Sequence, residues 1–195
     1  MDDMIDTSPM DVLPPQGESD GQSDDESGPS PAGVVVLFDA WQEFPGAVST
    51  VHDAVNATLR FVPELADGEI AIALSSDADV RELNARFRGQ DRATNVLSFP
   101  SAGFSGNSAA SSGDIVIAYE TTAREAANEG KPLYHHLAHL TVHGLLHLAG
   151  HDHHDDADAE RMEALERQIL AHLDIPDPYR SDIEEDRPTN GRDSV

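Results

Sequence analysis

The 195-residue chain contains no cysteine and few aromatic or basic residues. Without cysteine there are no disulfide bonds and no thiolate metal ligands, so any zinc must be held by histidine and carboxylate. No stretch approaches the roughly 18 apolar residues that a membrane-spanning helix needs. Residues 1–6 are acidic where a signal peptide would be basic. We therefore expect a soluble, cytoplasmic protein without a membrane partner.

Acidic residues outnumber basic residues by 37 to 12, which gives a formal charge of −25. Such a charge opposes tight, nonspecific binding to nucleic acid, because contacts to phosphate groups need lysine and arginine. Part of this charge lies in the ends of the chain, since residues 1–33 contain nine acidic residues and no basic residue. Four arginines nevertheless fall within twelve residues of the central part, at positions 81, 86, 88 and 92. A local basic patch is compatible with this distribution.

Composition divides the chain into one domain and two tails. Residues 1–32 are rich in Asp, Ser, Gly and Pro and nearly free of aromatic and β-branched side chains, so they cannot bury enough surface to fold. Residues 181–195 have the same character. We predict an acidic disordered tail at 1–32, a domain at 33–180 that is large enough for a proper core, and a second disordered tail at 181–195.

The most informative spacing in the chain is that of His143, His147 and His153. His143 and His147 are four residues apart, so on a helix their imidazoles lie one turn apart on the same face. Gly150 can then turn the chain out of the helix and let His153 return to the same point. Three neutral imidazoles suit one Zn²⁺ ion and leave a tetrahedral position open for water or substrate. This arrangement is typical of a catalytic metal.

Spacing alone identifies the third ligand less sharply than the first two. Several candidate ligands crowd the turn, namely His151, Asp152, His153 and His154. The three-residue spacing from Gly150 favours His153 as the third ligand. His139 lies one turn before His143, where it could hydrogen-bond to a ligand or simply pack in the core.

The same spacing occurs in the metzincin peptidases, whose motif is H-E-x-x-H-x-x-G-x-x-H. This chain has the three histidines and the glycine of that pattern, at Gly150, but Gly144 stands in place of the glutamate. In the peptidases that glutamate is the general base, and glycine has no side chain to replace it. A zincin-type metallopeptidase is therefore an alternative with little support. Close approach of a strand or of substrate would explain a glycine inside a helix.

Periodicity predicts the secondary structure of the domain. Short β-branched or alternating runs predict four strands, at 34–38, 69–74, 95–99 and 114–119. Apolar residues at helical spacing predict helices at 46–60, 77–87, 121–129 and 156–172, and a loop is expected at 101–112. In the helix at 77–87, Asp77 should be the cap and Val80, Leu83 and Phe87 should be buried. The last helix should point its charged residues outward.

The helix with the paired histidines should begin near Pro132 and has leucine or valine on most sides, so it should run through the centre of the domain. We therefore predict an α+β fold, with a single small mixed sheet of about four strands, surrounding helices and a central, zincin-like metal helix. Arg88 follows the helix at 77–87, beside Gly89, where a guanidinium can bind phosphate with two hydrogen bonds. A solvated helix face is the alternative for this arginine.

Several segments together resemble one family. Residues 143–153 resemble the HGxLHLxGxDH signature of the YbeY endoribonucleases, the bacterial 16S rRNA maturation factors. The other similar segments are Leu83-Asn84 with Arg88, TNVLSFP at 94–100, GDI at 113–115, Met162-Glu163 with Leu165-Glu166, and PDPY at 176–179. The resemblance covers about residues 34–180. It departs at His151, where the family commonly has tyrosine.

This resemblance implies a single-strand-specific, zinc-dependent endoribonuclease that hydrolyses phosphodiester bonds in 16S rRNA 3′-end maturation and ribosome quality control. It implies one Zn²⁺ ion held by His143, His147 and His153, and a catalytic role for Arg88. The implied partners are the 16S rRNA precursor and the small ribosomal subunit, and DNA is not expected to bind. A noncatalytic ribosome assembly factor, in which zinc only staples the fold, is a second alternative.

Overall fold

The computed structural model describes residues 32–101, 113–153 and 155–180. The tails expected before residue 32 and after residue 180, most of the loop expected at 101–112, and His154 lie outside these residues. Ala32 was assigned to the tail but already pairs with Ile70 as part of a strand. None of the helices in these ranges is both long enough and apolar enough to cross a membrane.

The four predicted strands form one mixed sheet. They are β1 (Ala32–Val36), β2 (Ile70–Ser75), β3 (Val96–Pro100) and β4 (Gly113–Ala118). The sheet has the order β1-β2-β4-β3, in which β1, β2 and β4 are parallel and β3 is antiparallel to β4. Pro100 is the last residue of β3, at the edge of the sheet, where a missing backbone donor is tolerated. The predicted strand bounds differ from these by at most two residues.

Helices surround this sheet as predicted. Over the described residues they are α1 (Asp39–Gln42), α2 (Ala47–Phe61), α3 (Asp77–Arg88), α4 (Tyr119–Asn128), α5 (Leu133–Leu148) and α6 (Asp156–His172), with a 3₁₀ turn at Pro63–Asp67. Neither α1 nor the 3₁₀ turn was predicted, because segments this short have no visible periodicity. α1 nevertheless contributes Trp41, which is buried and donates its indole N–H to Ser75 O at 3.0 Å.

α5 is the central helix of the domain, as its apolar residues predicted. It packs on β3 and β4 and is covered by α2, α4 and α6. Leu137, Leu145 and Leu146 are almost completely buried. A helix fixed on so many sides holds its histidines in defined positions relative to the sheet.

Three predictions for individual residues were wrong. Ser76, not Asp77, caps α3 by accepting a hydrogen bond from Asp79 N at 3.3 Å. The Asp77 carboxylate instead accepts from Thr121 N at the start of α4. Phe87 is 59% exposed, because it lies at the rim of the α3 interface, against the ring of Phe99 at 5.3 Å. The third error concerns α6, which buries one charged residue completely.

Candidate metal centre

The three histidines predicted as ligands come together at the C-terminal end of α5. The Nε2 atoms of His143 and His147 are 3.1 Å apart. Gly150 reverses the chain after the helix with a φ of 86°, and His153 follows this turn. One ring nitrogen from each of the three residues lies within 4.8 Å of the others. Zinc–nitrogen bonds of about 2.05 Å at a tetrahedral angle would place two ligand nitrogens about 3.3 Å apart, so the first pair already has a suitable spacing.

His147 is held in the form that binds metal. Its Nδ1 lies 3.0 Å from the backbone oxygen of His151. A carbonyl oxygen can only accept, so Nδ1 carries the hydrogen and Nε2 presents its lone pair to the site. Burial, together with the nearby charges of His143 and His153, lowers the pKa of His147. The imidazole is therefore neutral at neutral pH.

The histidines open into a cleft of about 570 Å³. One wall comes from β3 and the residues before it, and the other from the turn at 150–153. Arg88, the last residue of α3, also lines this cleft, and its Nη2 donates to Ser98 O at 3.2 Å. The structure therefore places the predicted arginine and the predicted histidines around one space that is large enough for a small ligand group.

The other clustered arginines do not join Arg88 in the cleft. Arg81 forms two hydrogen bonds to Asp91, at 2.6 and 2.9 Å, on the exposed side of α3. The guanidinium of Arg86 lies over the ring of Phe87, and Arg92 donates to Gln90. In the described part of the chain, Arg88 is thus the only member of the cluster that lines the cleft.

Gly144 is explained by the close approach of the sheet. A Cβ atom there would lie 3.0 and 3.1 Å from two side-chain atoms of Ile115, and 3.2 Å from Ser98 Oγ. Both neighbours are buried, and Ser98 Oγ also donates to Gly144 O at 3.3 Å. The glutamate of a zincin peptidase could not fit here unless β3 and β4 moved away from α5. This packing weighs against the peptidase alternative.

Glu166 is the charged residue of α6 that was wrongly predicted to point outward. Its side chain is fully buried, with Oε1 2.8 Å from His143 Nδ1 and Oε2 3.1 Å from His139 Nε2. The hydroxyl of Tyr179 also donates to Oε2. Burial by itself would raise the pKa of Glu166, but the hydrogen bonds from these three groups outweigh it and lower the pKa to about 2. The side chain is therefore ionised.

A signal for this residue was available in the sequence. Met162, Glu166 and Ile169 follow helical spacing, and all three are buried on the same face of α6. Glutamate on an apolar helix face is usually a solvated neighbour, so the pattern alone did not identify its partners. The contact also resolves the role of His139, which bonds to Glu166 rather than to another histidine.

Known proteins resemble this chain over most of the described domain. Residues 40–174 match the family model described as Endoribonuclease YbeY. A protein named Endoribonuclease YbeY from Bradyrhizobium sp. (strain BTAi1) is 53% identical over 152 residues, which cover 75% of this chain and 90% of that protein. One of the same name from Rhodopseudomonas palustris (strain BisA53) is 53% identical over 151 residues, covering 75% and 88%. The solution structure of TM1509 from Thermotoga maritima is 21% identical and covers 77% of this chain and 99% of its own, with a TM-score of 0.49.

Proposed function

The chain belongs to the YbeY endoribonuclease family, and we propose that it uses one zinc ion to cleave single-stranded RNA during 3′-end maturation of 16S rRNA. The observation that carries this proposal is the convergence of His143, His147 and His153 on a cleft that also contains Arg88. Among the described residues, the group contains three potential ligands, which would leave one position of a tetrahedral zinc ion open. An open position distinguishes catalytic zinc sites from structural ones.

The residues of the cleft have separate roles in this proposal. His143 and His147 would hold the ion through Nε2, and His153 would complete the set. The bound zinc would supply Lewis-acid activation of water and of a phosphoryl oxygen. Arg88, anchored at Ser98 O, would donate its other N–H groups to the scissile phosphate and balance the negative charge that grows there in the transition state.

The identity of the nucleophile can be read from the products. Attack by water and attack by the adjacent RNA 2′-hydroxyl both break the phosphodiester bond, but only the second leaves a cyclic phosphate. Gly144 offers no carboxylate as a general base, in contrast to the zincin peptidases. Analysis of the 3′ ends of the fragments by mass spectrometry would distinguish the two routes.

We further propose the 16S rRNA precursor and the small ribosomal subunit as partners and the cytoplasm as the location, on the basis of family membership. The charge of the chain supports a selective substrate. With a net charge of −25 and a single arginine in the described cleft, bulk electrostatic attraction to RNA is weak. A structured ribosomal particle could instead present one accessible strand to the cleft.

The test is digestion of ribosomal RNA by the full-length protein, before chelation, after chelation, and after zinc is restored. Chelation should abolish cleavage and zinc should restore it. His147→Ala should lose both cleavage and stoichiometric zinc. His135→Ala is the matched control, since His135 lies on the same helix but outside the cleft, and it should retain both. Undiminished cleavage by His147→Ala would contradict the proposal.

The same preparations distinguish the two alternatives. A peptidase would digest casein under matched metal conditions, which we do not expect. For a noncatalytic factor stapled by zinc, His147→Ala would lose thermal stability and RNA binding together. If His147→Ala keeps its melting temperature and RNA binding but no longer cleaves RNA, a purely structural role for zinc is excluded.

A further inference from the structure

Glu166 connects the histidine cluster to two other parts of the domain. Its Oε1 contacts His143 of α5. Its Oε2 contacts His139, one turn earlier on α5, and accepts a hydrogen bond from the hydroxyl of Tyr179. Tyr179 lies in the segment that follows α6. All three contacts meet at a carboxylate with no exposed surface. A buried charge destabilises the fold unless several donors compensate it, so the three donors are what allow a carboxylate at this position.

The carboxylate determines which nitrogen of His143 carries the hydrogen. The carboxylate acts as an acceptor, since its Oε2 takes the hydrogen bond from the Tyr179 hydroxyl, so the 2.8 Å contact at Oε1 places a hydrogen on His143 Nδ1. The lone pair of the neutral ring is then on Nε2, the atom that lies 3.1 Å from His147 Nε2. His147 has the same tautomer because its Nδ1 donates to His151 O. When both rings are neutral, two lone pairs therefore face each other, an arrangement that a bound cation relieves.

We propose that Glu166 is a positioning residue for the metal site. Its carboxylate holds His143 in the tautomer and orientation that direct Nε2 at the ion. His139 and Tyr179 in turn hold the carboxylate in place. This inference rests on the proposed function in one respect, that the three histidines bind zinc. Its physical basis is that the hydrogen bond made by one ring nitrogen decides which nitrogen is free to bind metal, and that a carboxylate partner makes the ring a stronger ligand.

The arrangement also extends the site to the end of the domain. Tyr179 shares Oε2 with His139, so loss of its hydroxyl would leave the carboxylate with one donor fewer on that side. The segment after α6 would therefore influence zinc affinity although it does not line the cleft beside Arg88. Tyr179→Phe should weaken zinc binding, but less than a change at Glu166 itself.

The experiment compares zinc affinity in the full-length protein, by competition with a chromophoric chelator. Glu166→Gln keeps the shape of the side chain but replaces one acceptor oxygen with an NH₂ group, so it cannot accept at both ends. We expect zinc affinity to fall by about 10- to 100-fold, the effect typical of outer partners of ligands. Glu160→Gln, on the exposed side of the same helix, is the matched control and should bind zinc like the wild type. If Glu166→Gln melts at a lower temperature but binds zinc with unchanged affinity, the inference is overturned, because a purely structural role predicts that result.

A second measurement does not depend on any variant being folded. Long-range ¹H–¹⁵N NMR spectra of the metal-free wild-type protein report the tautomer of each histidine, and His143 should carry its hydrogen on Nδ1. A neutral His143 ring with its hydrogen on Nε2 would overturn the inference even if Glu166→Gln cannot be prepared. Neither measurement needs RNA. Zinc affinity that depends on Glu166 in a protein that cleaves no RNA would support this inference and overturn the proposed function.

Discussion

Arg88 provides the sharpest test of how the cleft works, through the variant Arg88→Ala. Its guanidinium makes one described hydrogen bond, to Ser98 O at 3.2 Å, and the residue is exposed. Loss of one such hydrogen bond costs about 0.5–1.5 kcal/mol of stability, a small part of the 5–15 kcal/mol of a typical domain. Removal of one donor that stabilises transition-state charge costs about 10²- to 10³-fold in kcat, or about 2.7–4 kcal/mol. The catalytic effect should therefore far exceed any loss of folded protein.

The assay is kcat/KM on a fluorogenic single-stranded RNA at saturating zinc, with zinc content and melting temperature measured on the same samples. Arg88→Ala should retain its zinc and its fold while losing activity. Arg88→Lys should lose less, because it keeps the charge but not the planar pair of donors.

Arg81→Ala is the matched control on the same helix. Arg81 is bound to Asp91 outside the cleft, and an exposed pair of this kind contributes little to stability because solvent screens it. Its removal should leave kcat/KM unchanged. Near wild-type activity of Arg88→Ala at full zinc occupancy, or an equal loss in Arg81→Ala, would refute the reasoning.

Three further predictions follow from the packing, the charge and the burial of the site. Gly144→Ala should lower the free energy of unfolding in urea, because overpacking against Ile115 at 3.0 Å costs about 1–3 kcal/mol and exceeds the helix gain of at most about 1 kcal/mol. Gly33→Ala is the control, since its new Cβ meets only Ile70 O at 4.0 Å, and it should leave the free energy of unfolding unchanged. A higher free energy of unfolding for Gly144→Ala would contradict the packing argument. RNA binding should depend weakly on salt, with a log–log slope of about 0.7 in magnitude for the one phosphate that Arg88 can contact. A slope above about 3 would count against a cleft with one arginine. The lowered pKa of His147 means that the folded metal-free protein takes up fewer protons than the unfolded chain below about pH 6.5, so its stability should fall as the pH drops through that range. As the pH is lowered, the urea midpoint of metal-free His147→Gln should fall less than that of the wild type. An equal fall in both proteins would mean that other groups cause the loss of stability.

Much of the fold could be predicted because it depends on local periodicity. The four strands and the helices α2, α3, α4 and α6 lie within two residues of the predicted bounds, and α5 begins one residue after Pro132. The predictions for Phe87 and Asp77 were wrong because exposure at a helix rim and the choice between adjacent caps depend on what packs nearby. Phe87 follows the apolar spacing of α3, yet it contacts Phe99 of β3 and stays mostly exposed.

The histidine cluster itself was determined by the sequence. Helical geometry puts His143 and His147 on one face whatever surrounds them, and a glycine with positive φ can redirect the chain toward His153. Only the tertiary structure decided the surroundings of these rings. Glu166 is 23 residues from His143 along the chain, and Tyr179 is 13 residues further. Charge predicts an exposed side chain, since an isolated buried carboxylate is costly, and only the packing of α6 against α5 supplies the three donors that remove this cost.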